Sequence, residues 1–175
     1  RFATDIGERS TIRLRDGSVL ILDTNSEVEI KYAPAERTIY LTRGQAMFEV
    51  AHDKRRPFSV YARDQRVIAT GTAFTVRLDE SAVSVALVEG NVVVEQLPEE
   101  KGVLPKAGLT LQPGERLVAR TGAPASVAAA NMDQVTSWRS GKLEFLDTPL
   151  AEAVKEINRY SNDKILLVDD SFSAL

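Results

Sequence analysis

The single histidine of this chain sits among acids: His52 lies beside Asp53 and three residues after Glu49. A histidine between carboxylates can act as a general base or begin a metal site, so its surroundings must supply the rest of that machinery. They do not. Cysteine is absent, which excludes thiolate zinc sites, cysteine nucleophiles and disulfides. One histidine is poor material for the three or four ligands that zinc takes. No Gly-x-Ser-x-Gly turn presents a serine nucleophile. The glycines follow apolar runs and open no helix, so phosphate loops and dinucleotide folds are excluded as well. Alternation through Phe48 and Val50 turns Glu49 away from the core and leaves His52 as a loop residue. Lys54-Arg55-Arg56 reads as a solvated loop, since three charges make no steering field. No catalytic residue, metal or cofactor is expected. The chain reads as a protein that works by binding.

The elements that would carry a binding surface fall into two regions. Of the 175 residues 43% are apolar, enough for a core, and the net charge is −3. Residues 132–175 hold five Lys/Arg against eight Asp/Glu, while residues 1–131 hold seventeen of each, so the acidic excess belongs to the C-terminal end. No basic stripe suits a nucleic acid, and no apolar run approaches the ~20 residues that span a bilayer.

From Ser10 to Arg120 short alternating runs are punctuated by glycine. Thr11–Arg15 enters Asp16-Gly17, a type I′ hairpin signal, and Ser18–Leu22 returns. Glu27–Tyr32 alternates until Pro34; Ile39 and Leu41 precede a turn at Arg43-Gly44, after which Ala46, Phe48 and Val50 resume. Leu97–Lys106 reads as an exposed loop. An aliphatic residue stands three positions before Gly17, Gly44, Gly71, Gly90 and Gly114, which fits a weak internal repeat and equally fits an ordinary antiparallel domain with glycine at its turns. Either way residues 1–126 form an antiparallel all-β scaffold, a twisted sandwich or an irregular solenoid of hairpins. Residues 127–139 are linker and a short helix, with Asn131 as N-cap and Trp138 buried against a neighbouring unit.

Residues 140–175 read as a βαβ unit, making the whole chain mainly β with a small α+β part. Leu143 and Phe145 alternate with Lys142 and Glu144 as a strand; Thr148 is placed to cap a helix whose first residue is Pro149. Leu150, Ala153, Val154 and Ile157 form the helix's apolar stripe, and Glu152, Lys155, Glu156 and Arg159 its solvated face. Ile165–Val168 follows as a second, parallel strand. So small a unit has free strand edges, and free edges recruit strands. Leu143, Glu144, Phe145, Leu146, Leu166 and Val168 are therefore the candidate partner-binding residues.

The run Trp138, Gly141, Leu143, Phe145, Asp147-Thr148-Pro149-Leu150-Ala151-Glu152 and Asn158-Arg159-Tyr160-Ser161 resembles the closing motif of FecR-type regulators. So do Arg43–Asp53 with Arg56-Pro57-Phe58, and Ala69–Val76. These are bacterial single-pass inner-membrane anti-sigma factors of cell-surface signalling that govern ferric siderophore uptake. The resemblance implies that this chain is the periplasmic portion of a membrane-anchored protein, with no active site. The family's cytoplasmic sigma-binding segment and transmembrane helix precede that portion, so a sigma factor would be met only through a segment absent here. The C-terminal unit resembles half of a secretin/TonB short N-terminal (STN) domain. The implied partner is the periplasmic signalling domain of a TonB-dependent outer-membrane siderophore receptor, whose signal is relayed to an extracytoplasmic-function sigma factor. The competing expectation is a cell-envelope polymer- or carbohydrate-binding β module whose βαβ unit oligomerises.

Overall fold

The computed structural model describes residues 1–98 and 107–168. Its strands are β1 Phe2–Ala3, β2 Ser10–Arg13, β3 Val19–Leu22, β4 Glu27–Tyr32, β5 Arg37–Glu49, β6 Phe58–Ala62, β7 Gln65–Ala69, β8 Ala73–Leu78, β9 Ala82–Glu89, β10 Val92–Gln96, β11 Leu109–Leu111, β12 Glu115–Arg120 and β13 Ser126–Ala129. The helices are α1 Met132–Thr136, a 3-10 turn over Ser137–Ser140, and α2 Leu150–Ile157. The chain is thus mainly β, with its helices confined to the C-terminal part. The Leu97–Lys106 loop lies largely outside the described residues.

One strand organises the rest. The front sheet runs β1-β4-β5-β6-β7-β10-β11 and the back sheet β2-β3-β5-β8-β9-β12-β13, so β5 belongs to both. All pairs are antiparallel except β5 with β6. The strands read as two faces because side chains alternate. Leu20, Leu22, Phe48, Phe74, Val76, Val85 and Leu87 from the back sheet meet Val28, Ile39, Leu41, Phe58, Val60 and Val67 from the front in a single core. Phe48 stacks on Phe74 with centroids 5.1 Å apart and meets Phe58 edge-on at 6.0 Å, joining the two sheets near the end of β5. The architecture is a sandwich.

Two local expectations change. The turn expected at Arg43-Gly44 is a bend within one continuous strand: Gly44 has φ +79°, and a Cβ there would meet Ser26 Oγ at 2.3 Å and Asn25 O at 2.7 Å. Only glycine combines that backbone with that approach. The β2–β3 hairpin is not type I′, which requires positive φ at both central residues. Gly17 alone has it (+87°); the Gly17 N–H donates to Leu14 O and the Leu14 N–H to Ser18 O, which is a longer loop closed on a glycine. The Asp16 carboxylate accepts from Ser18 and Arg37, holding that loop in place.

The alanine-rich stretch read as linker supplies β13, which pairs with β12 at the sheet edge. Asn131 Oδ1 then accepts from the N–H groups of Asp133 and Gln134, capping α1 as its residue type suggested. The C-terminal segment lies on the outer face of the back sheet as a third layer. Met47, Thr75 and Ala86 alternate with core residues along β5, β8 and β9, so they face outward, yet each is buried. Trp138, Ala153 and Val154 are buried in the third layer, outside the main core.

The two flanking strands of the expected βαβ unit do not form. Among the described residues, Leu143–Leu146 and Ile165–Val168 have no ladder partner, in each other or in the scaffold. A two-stranded parallel pair has too few hydrogen bonds and too little cover to stand alone. The Pro149–Leu150 start also shifts by one residue: Pro149 is the N-cap, with φ −53° and ψ 140°. The Thr148 hydroxyl instead donates to Leu146 O.

Candidate partner-binding site

Helix α2 is fastened by polar groups more than by its apolar stripe. Leu150 is 39% exposed and Ile157 half-buried, leaving Ala153 and Val154 as the buried pair. The face turned to the scaffold includes Glu156, whose carboxylate accepts from Arg77 Nη1 of β8 at 2.6 Å and from Arg159 Nη1 at 2.6 Å. Arg159 Nη1 also donates to Gln45 Oε1 (3.2 Å), and its Nη2 donates to Asp23 Oδ2 (3.2 Å). The Tyr160 hydroxyl donates to the same Asp23 oxygen at 2.7 Å. Thr24 Oγ1 donates to Arg159 O, at the helix end, and accepts from the Gly7 N–H. The attachment therefore gathers on the turn after β3 and on Gln45, immediately after the bend of β5.

Asp23 is the most constrained member. Its side chain is fully buried, and Oδ1 makes no hydrogen bond with the protein. Burial pushes its carboxyl above the usual carboxylate range, against the opposing pull of the Tyr160 hydroxyl and the Arg159 charge. Burial likewise pushes the Tyr160 hydroxyl up, with the Asp23 charge adding to it. Arg77 is raised although burial alone would lower it, because Glu156 and Asp79 flank it.

Beside this joint the candidate residues are open. Leu143 is half-buried and Glu144 exposed; Phe145 and Leu146 are 37% and 57% exposed, and Leu166 and Val168 are 79% and 99% exposed. Glu144 lines a shallow cleft of about 650 Å³ with Thr11, Ile21, Asp133, Arg139 and Lys142. The segment after the helix is pinned at its start: Asn158 Nδ2 donates to Ile165 O (2.9 Å), and the Ile165 N–H donates to Asn158 Oδ1 (2.8 Å). An amide side chain here takes the place of a neighbouring strand at one residue, and the next three join no ladder among the described residues. The structure does not bring Leu143–Leu146 and Ile165–Val168 together in one sheet.

His52 is exposed, and its ring packs beside Gly71. Glu49 pairs with Arg139 of the third layer at 3.1 Å. Among the described residues no cluster of three or more His, Asp or Glu could hold a metal ion, and no helix is long and apolar enough to cross a membrane. The sequence reading missed Asp23, Thr24, Gln45 and Arg77 altogether and placed Glu156 and Arg159 in solvent. One signal was available: Glu152, Glu156 and Arg159 share the i, i+4, i+7 spacing of the apolar stripe, so either face could meet a polar wall.

Comparison with known proteins adds an independent line. The family model described as FecR protein matches residues 1–93. Two crystal structures of a "putative anti-sigma factor" from Parabacteroides distasonis share the fold, each with a TM-score of 0.78. One is 24% identical over 91% of this chain and 73% of that one; the other is 25% identical over 92% and 74%. No curated protein sequence gives a significant match.

Proposed function

The chain belongs to the FecR family, and we propose that it is the signal-receiving part of an anti-sigma regulator, located in the periplasm and anchored through the inner membrane. In this reading it binds the signalling domain of a TonB-dependent siderophore receptor and passes the signal towards an extracytoplasmic-function sigma factor. The observation that carries it is the exposed apolar flank of α2: Phe145, Leu146, Ile165, Leu166, Leu167 and Val168, each more than a third exposed. Large apolar side chains exposed on segments that join no ladder among the described residues mark a place where another chain is received. The acidic excess of the C-terminal part suits a partner with a neutral or basic rim and predicts faster association at low salt.

The polymer-binding alternative finds less support. Tyr40 and Tyr61 on the outer face of the front sheet would be its natural sugar platform, but their rings stack on each other at 5.1 Å. Lys31 and Arg66 lie over the remaining faces, at 4.9 Å from Tyr40 and 5.6 Å from Tyr61. That row is closed to a sugar ring.

Calorimetry with the receptor's signalling domain tests the proposal. Leu166→Asp places a charge on an exposed site that the free chain does not need, so the variant folds normally and binds at least tenfold more weakly. Glu144→Pro removes a backbone donor and lowers affinity by about 1 kcal/mol or more if the chain pairs along that segment. Equal affinity for wild type and both variants would place the docking surface elsewhere.

A further inference from the structure

The joint beneath α2 holds more than a helix. Thr24 Oγ1 donates to Arg159 O at 3.1 Å and accepts from the Gly7 N–H at 2.7 Å, so one hydroxyl links the end of α2 to the N-terminal segment. Thr4 Oγ1 donates to Asp23 O at 2.5 Å, and the Asn25 N–H donates to Asp5 O. Gly7 has φ +80°, and a Cβ there would lie 3.2 Å from Tyr160 O. Residues 4–8 are thus seated on the same turn, Asp23–Ser26, that seats Arg159 and Tyr160. That turn also braces the bend of β5: the Asp23 N–H donates to Gln45 O, and Ser26 Oγ donates to Gln45 O while accepting from the Gln45 N–H.

The attachment of α2 is specific without being adhesive. Two of its residues, Ala153 and Val154, are buried, while Leu150 of the same apolar stripe is exposed and Ile157 only half-buried. What remains is a set of hydrogen bonds and ion pairs around a carboxylate whose burial opposes its own ionisation. Buried pairs of this kind define position more than they add stability, because desolvation offsets their attraction. An element held that way can be lifted without unfolding the sandwich.

We propose that the end of α2 is a releasable latch on the bend of β5, and that its release frees the N-terminal segment Thr4–Glu8 through the shared turn at Asp23 and Thr24. The coupling to partner docking rests on the reading above; the latch itself does not. A partner that takes the exposed flank of α2 as part of its own sheet pulls on an element held by few buried apolar groups. The N-terminal segment then loses the Thr24 hydroxyl's fixed geometry and the packing of Gly7 against Tyr160. Two sites biasing one two-state element is what coupling requires.

Hydrogen exchange of the whole chain, free in solution, reads the latch directly. Tyr160→Phe removes the shorter of the two bonds to Asp23 and little else. Amides of residues 150–160 and of residues 4–8 should both exchange at least tenfold faster, while β6 to β9 keep their wild-type rates. Thr24→Val removes the shared hydroxyl and should loosen the same two segments. Faster exchange in α2 with residues 4–8 unchanged in both variants would overturn the coupling. A uniform rise across β6 to β9, or no change in α2, would overturn the latch. Binding of the receptor's signalling domain is a separate measurement: Tyr160→Phe should bind no more weakly than wild type. If α2 loosens and neither protein binds, the docking reading fails and the latch stands.

Discussion

Two buried carboxylates in this chain, Asp16 and Asp23, are driven in opposite directions. Burial raises the Asp16 carboxyl, but the Ser18 hydroxyl and the Arg37 guanidinium outweigh it, with help from the Ser18 N–H and the Tyr32 hydroxyl. Asp16 is therefore held below the usual carboxylate range. Arg37 is itself fully buried; it donates to Asp16 Oδ2 (2.7 Å), Ala51 O (3.0 Å) and Arg56 O (2.9 Å) and lies over the Phe58 ring. Asp23 has two side-chain donors on one oxygen, none on the other, and a raised carboxyl. Both are buried ion pairs in the same sandwich. The first is satisfied by parts of the scaffold that cannot leave, and the second by a helix that can. The degree of satisfaction separates a structural node from a joint.

The largest effect that this comparison predicts is at Arg37. Arg37→Ala leaves Asp16 buried without its cation, which costs about 3–5 kcal/mol of global stability. Urea unfolding followed by far-ultraviolet circular dichroism should show the whole β transition moved down. A transition unmoved by Arg37→Ala would mean that the two carboxylates are alike after all. Val154→Asp comes next, placing a charge in the interior of the third layer at several kcal/mol unless it is neutralised. Its cost should stay local: cleavage by protease after residue 140, with the strand signal retained. Arg159→Met should cost about 1–2 kcal/mol, seen as a roughly tenfold drop in α2 protection with the β transition unchanged.

Acid should act on the two nodes with opposite sign. Asp16 has a folded value below its ordinary 3.8, so its contribution is complete above 3.8 and is lost as pH falls through the folded value. Asp23 has a folded value above 3.8, so the folded chain holds that proton more tightly than the unfolded one. The joint therefore gains stability as pH falls from neutral through the folded value of Asp23, and gains no more below 3.8. Tyr160, Arg159 and Glu156 are the titratable groups that face Asp23. Protection factors of α2, corrected for intrinsic exchange, should rise on mild acidification and then fall with the scaffold at lower pH. A monotonic fall from neutral would contradict the assignment of the joint to Asp23.

How far the sequence could be read follows from the same contrast. Alternation and glycine spacing made the all-β scaffold legible, because burial on one face writes itself into every second residue. Asn131 as a cap and Trp138 as a buried residue were legible from residue type alone. The bend at Gly44 read as a turn, since a glycine between two apolar runs looks the same whether the strand ends or crosses to a second sheet. The joint was opaque. Asp23 lies in the turn after β3, Gln45 on β5 and Arg77 on β8, and they meet Glu156 and Arg159 only after the third layer has folded over them, so no local spacing announces them. The segments Leu143–Leu146 and Ile165–Val168 carry strand-like residues and find no ladder partner among the described residues, and a pattern can specify a strand without supplying the neighbour it needs.

The most direct measurement is an exchange map of the whole chain, free and in complex with the receptor's signalling domain. The account predicts new protection over residues 143–146 and 165–168, and none on the outer face of the front sheet around Tyr40 and Tyr61. Protection at Tyr40 and Tyr61 with residues 165–168 still exchanging freely would contradict it.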